Sequence, residues 1–171
     1  MARVKQLSFL GVGFDKPRAE FGGELLKNSN AKCKRPLDSK LPLHLVLRST
    51  KSLMRLPKNL IFVDQTVHDV CRQHGVRLYE YANVGNHLHL LIKIPNRAAW
   101  AAFIRELTGR IAYKLRLKWD KLPFTRIVSG WRKAYRAAKD YVTINRMEVL
   151  GLATRAQIRF LRETEKYWST A

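Results

Sequence analysis

The chain has 171 residues, with 33 Lys and Arg against 13 Asp and Glu and a formal net charge of +20. That length suits one domain with a real core, and so large a cationic excess points to a polyanionic partner, nucleic acid first. Cys33 and Cys71 stand outside any CxxC pair, no run is long enough to span a membrane, and the opening MARVKQLSFLGVGFDKPR has too short an apolar core for a secretory signal. These features exclude a zinc knuckle, a disulfide framework and a membrane partner, and predict a cytoplasmic protein.

Residues 1–40 are basic and broken by Gly11, Gly13, Pro17, Gly22, Gly23 and Pro36. They read as an extended arm, followed by a main domain over 41–152 and a terminal helix within 153–171. Leu41 to Ser49 alternates as a strand, with Leu43, Leu45 and Leu47 on one face and His44, Val46 and Arg48 on the other. Residues 51–59, with Pro57, read as a basic loop, and Asp64 to His74 as a helix stopped at Gly75.

Val76 to Val84 predicts a second strand with Tyr79 and Tyr81 on a common face, joined by Gly85-Asn86 to the next strand. That next stretch, GNHLHLLIKI, holds the pattern that organises the chain. Strand side chains alternate between faces, so Leu88, Leu90, Ile92 and Ile94 form a core face while His87 and His89 stand together on the other. Two adjacent neutral imidazoles suit a divalent metal; the bland alternative is a pair of half-exposed histidines.

Asn96 is placed as the N-cap of a long helix from Arg97 to Trp119, whose apolar stripe is Trp100, Phe103, Ile104, Leu107, Ile111 and Leu115. Gly109 inside it calls for a close contact as its reason. Phe124 to Ser129 reads as a fourth strand, Trp131 to Leu150 as a second long helix, and Thr154-x-x-Gln157 as a capping box opening a last helix, Arg155 to Tyr167. The order predicts an α+β, ferredoxin-like split βαβ sandwich: an antiparallel four-stranded sheet with two helices on one face and extra C-terminal helices. The late helix is free to lie over the histidine face.

The residues LHLVLRS, LYEYANV, NHLHLLI and the late YVTINRMEVLGL together resemble the HUH-motif tyrosine transposases, of the insertion-sequence and REP-associated groups, over roughly residues 41–152. The resemblance implies that His87 and His89 hold Mg²⁺ or Mn²⁺ and that a tyrosine on or just before the late helix attacks single-stranded or hairpin DNA. Ungapped counting back from YVTINRMEVLGL puts that tyrosine's position near Thr125; the tyrosines nearest to it are Tyr135 and Tyr113. Asp140 and His44 are the substitutes for a third ligand. Arg48, Lys93, Arg97, Arg105, Lys114, Arg132, Lys133 and Arg136 supply phosphate partners. Such proteins act as monomers or homodimers. Two other readings stay open: a non-catalytic, domesticated nucleic-acid-binding derivative, and an RNA-binding module of the same fold, whose sheet tyrosines stack bases.

Overall fold

The computed structural model describes residues 20–26, 34–129, 132–154 and 156–157. Five strands and three helices follow one another as β1 (Glu20–Phe21), β2 (Leu43–Arg48), α1 (Pro57–Gln73), β3 (Arg77–Asn83), β4 (His87–Lys93), α2 (Arg97–Leu115), β5 (Phe124–Ile127) and α3 (Lys133–Val149), with a 3-10 turn at Gly23–Leu26. The sheet is antiparallel in the order β1-β5-β2-β4-β3, which contains the ferredoxin-like arrangement of four strands.

The alternation of β2 and β4 sorts side chains as the pattern predicts. Leu43, Leu45, Leu47, Leu88, Leu90 and Ile92 are buried on one face, where Val63, Val67 and Val70 of α1 and Phe103, Leu107 and Ile111 of α2 close over them. The other face carries His44, His87 and His89 and is covered over β3 and β4 by α3, through Ala82, Leu91 and Val142 with Tyr79, Tyr135 and Tyr141 around them.

Four details depart from the expectation. The sheet has a fifth strand, because Glu20 and Phe21 pair with Arg126 and Thr125 of β5. Arg35 makes this possible: its Nη1 donates to Pro123 O (2.8 Å), Thr125 Oγ1 (2.7 Å) and Phe21 O (3.4 Å), and its guanidinium lies 4.5 Å from the Phe21 ring centre. Burial pulls its pKa down to about 10, so it stays cationic at neutral pH and clasps the arm to the sheet.

Helix α1 begins at Pro57, inside the stretch read as a loop. A proline breaks a helix interior but suits the first helical position, where its missing N–H has no partner to lose. Tyr79 and Tyr81 fall on opposite faces, because a β-bulge between Leu78 and Glu80 places two residues of β3 against one of β4. Tyr79 therefore meets Tyr135 of α3, while Tyr81 turns to α1 and donates to Asp64 Oδ1 at 3.0 Å. Finally, a Cβ at Gly109 would meet nothing within 4 Å, so no close contact explains that glycine.

Both predicted caps form. Asn96 Oδ1 accepts from Ala99 N at 2.8 Å, and Thr154 and Gln157 exchange bonds, Gln157 Oε1 accepting from Thr154 N at 2.8 Å and Thr154 Oγ1 from Gln157 N at 3.3 Å. The rest of the predicted last helix lies outside the described residues. No described helix is long and apolar enough to cross a membrane.

Candidate active site

The site is built where β4 leaves its turn. Asn83 Oδ1 accepts from Gly85 N at 3.0 Å and Asn83 Nδ2 donates to Met54 O at 2.9 Å, tying the turn to the loop after β2. Gly85, at φ +99°, admits no side chain there: a Cβ would stand 2.6 Å from Ser52 Oγ. The turn holds Asn86 so that its Oδ1 lies 2.6 Å from Nδ1 of His87. An amide oxygen only accepts, so His87 carries its proton on Nδ1 and presents a bare Nε2.

His87 and His89 lie edge to face with ring centres 4.7 Å apart. Across β2, His44 Nε2 is 3.3 Å from His89 Nδ1, the two rings lying within 10° of parallel. Burial, then the Arg126 charge, depresses the His44 pKa to about 4; burial, then Arg48, lowers that of His87. Both imidazoles are thus neutral at physiological pH, the form that donates a lone pair to a cation.

Helix α3 supplies the wall. Its Tyr141 ring stands edge-on to His89 at 5.4 Å and to His44 at 5.7 Å. Neither Tyr141 nor Asn145 is singled out by the sequence, although both lie in the YVTINRMEVLGL stretch. The available signal was Tyr141-x-x-x-Asn145, two polar functions one helical turn apart. Asn145 is 4% exposed and donates from Nδ2 to Tyr141 O at 2.7 Å. The direction of α3 follows from Tyr135 against Tyr79 at one end and Arg55 Nη2 donating to Val149 O at 2.8 Å at the other. Arg55 borders Gly85, so the helix runs toward the β3–β4 turn and the His87 end of the site.

The other expected residues are dispersed. Tyr135 sits on α3 six residues before Tyr141 and packs edge-on to Tyr79 at 5.6 Å. Tyr113 is 75% exposed on α2, across the sheet from the histidines, under the Arg116 guanidinium. Thr125, the position reached by counting, is fully buried on the Arg35 side. Arg48 and Lys93 belong to the histidine face, Arg48 with Asp120 3.5 Å away. Arg132, Lys133 and Arg136 are exposed at the start of α3. Arg97 donates to Arg35 O at 2.8 Å, and Arg105 and Lys114 lie on α2.

Among the described residues no three His, Cys, Asp or Glu side chains converge to hold a metal ion, so neither Asp140 nor His44 completes a set with His87 and His89. The donor chemistry still fits a divalent cation, as two adjacent imidazoles beside a polar helix turn that carries an amide.

Comparison with known proteins agrees with the fold. The IS200-like transposase family model matches residues 39–143. A REP-associated tyrosine transposase, whose structure was determined bound to a REP hairpin, superposes with a TM-score of 0.60 at 16% identity, covering 72% of this chain and 76% of that one. A candidate transposase from Deinococcus radiodurans gives 0.43 at 15% identity, covering 66% and 95%. No curated protein sequence matches. The matched family model spans most of the chain and includes β2 to β5, both site histidines and Tyr141, and the protein belongs to the IS200-like transposase family.

Proposed function

We propose that the protein cleaves and rejoins single-stranded DNA through Tyr141. In this reading the phenol oxygen of Tyr141 gives up its proton to solvent as it attacks the scissile phosphorus, a P–Oη bond forms, the P–O3′ bond breaks, and the departing O3′ takes a proton from solvent to become a free 3′-hydroxyl. The 5′-phosphotyrosine conserves the bond for the reverse attack that joins a new strand. The observation that carries the reading is the edge-on contact of Tyr141 with His89 at 5.4 Å.

His87 and His89 would hold Mg²⁺ or Mn²⁺ through Nε2, and Asn145 would join them through its amide oxygen, the nitrogen being committed to Tyr141 O. The spacing supports that third donor: four residues of helix advance about 6 Å, and two residues of strand about 6.6 Å, so Asn145 tracks His87 as Tyr141 tracks His89. A bound cation supplies electrostatic stabilisation of the charge that builds on the phosphoryl oxygens. Nε2 of His89 is sealed from solvent, so loading requires the Tyr141 ring or α3 to shift. Arg48, Lys93, Arg132, Lys133 and Arg136 lie on the same side of the sheet or on α3, where they can steer a strand to the site.

A labelled single-stranded hairpin with Mn²⁺ tests this. A protein–DNA adduct is expected with the parent chain and with Tyr135→Phe and Tyr113→Phe, and none with Tyr141→Phe. An adduct that survives Tyr141→Phe refutes the assignment. Salt-sensitive binding with no adduct in any variant favours the non-catalytic derivative.

A further inference from the structure

His44 takes no direct part in the chemistry just proposed, yet its ring is the one most closely tied to a candidate ligand. The 3.3 Å approach joins its Nε2 to Nδ1 of His89, and the ring centres are 5.5 Å apart with the planes 10° from parallel. The centre-to-centre separation exceeds the N···N distance by about one ring's width. The two imidazoles therefore meet nitrogen to nitrogen, close to end to end, and do not overlap face on face. Tyr141 stands edge-on to both, at 5.7 and 5.4 Å, and clamps their common plane.

A proton on the line between the two rings belongs to one of two tautomeric arrangements. If His44 donates, His89 accepts on Nδ1 and carries its own proton on Nε2, the atom a cation needs. If His89 donates, its Nε2 is bare. The neighbouring histidine has this second form imposed on it, since Asn86 Oδ1 at 2.6 Å takes the Nδ1 proton of His87. We propose that His44 is a positioning residue for His89: it accepts the Nδ1 proton of His89 and so directs the Nε2 lone pair of His89 to the cation site. The structure then contains two acceptors with one task, an amide oxygen behind His87 and an imidazole nitrogen behind His89. Metal-binding histidines generally have such a partner on the second nitrogen, fixing tautomer and ring direction. The proposal rests on the metal reading above, but part of its test needs no metal.

That part is the tautomer of His89, read by long-range ¹H–¹⁵N correlation in the metal-free full chain. The expected result is a proton on Nδ1 in the parent protein and a mixture or reversal in His44→Phe. The second part is Mn²⁺ affinity, followed by the EPR signal of the free ion. His44→Phe should weaken it by about 10- to 100-fold. His44→Gln, whose amide oxygen reaches the place of Nε2, should recover most of the loss. A parent His89 with its proton on Nε2 overturns the proposal, as does a folded His44→Phe with parental tautomer and affinity, or a His44→Gln no better than His44→Phe. A parent chain that binds no Mn²⁺ while its His89 carries the proton on Nδ1 refutes the metal reading and leaves the placement of the proton by His44 standing.

Discussion

The two faces of the sheet are made from the same strands and behave as different materials. Under α1 and α2, every inward position of β2 and β4 is aliphatic, and the layer is closed to solvent. Under α3, the buried apolar side chains are Ala82, Leu91, Val128 and Val142, and they share the layer with His89, Asn145 and the half-buried Tyr79, Tyr135 and Tyr141. Apolar burial contributes about 25 cal/mol per Å² whatever the shape, while each buried polar ring must find a partner or lose free energy. The first face therefore carries the stability of the fold, and the second can hold functional groups because the first has relieved it of that task.

Substitutions on the two faces should separate those roles. The largest effect belongs to Tyr141→Phe, which should lower adduct formation by about 10³-fold or more while leaving the thermal midpoint close to the parent's. A similar ratio applies to reactivity on the closed face. Burial raises the Cys71 thiol to about 12, so in a Cys33→Ser background iodoacetamide at pH 8 should modify it roughly a thousand-fold more slowly than in the unfolded chain. Rapid labelling of the native protein would show that the α1 layer opens readily. Leu90→Ala, under the same helices, should cost about 2–5 kcal/mol in urea denaturation, with the Mn²⁺ affinity of the remaining folded protein unchanged. At the small end, Gly109→Ala meets open space on α2 and should stabilise the chain by about 1 kcal/mol.

The same division explains what could be read before the structure. The leucine and isoleucine positions of β2 and β4 were legible because period-two alternation needs no knowledge of partners. The shared face of His87 and His89 came with them. Pro57 misled because its effect depends on position within a helix. The facing of Tyr79 and Tyr81 failed because a bulge shifts the alternation by one residue and leaves no trace in composition. Strand β1 depends on Arg35 reaching Pro123 and Thr125, contacts 88 and 90 residues away along the chain. Tyr141 was obscured because α3 sends both Tyr135-Ala138-Val142 and Tyr141-Asn145 to the sheet. Helical spacing alone could not rank one tyrosine above the other; in the structure Tyr141 is the one whose ring meets His89, and Tyr135 meets Tyr79.

The margins of the sheet bear on how copies of this protein can meet. Among the described residues one rim is a strand of two residues and the other is kinked at Leu78–Glu80. Neither offers the straight row of backbone donors and acceptors that strand addition requires. Over the described residues, pairing of two copies strand to strand is therefore the contact these rims disfavour, and the helices and loops are the surfaces left for one.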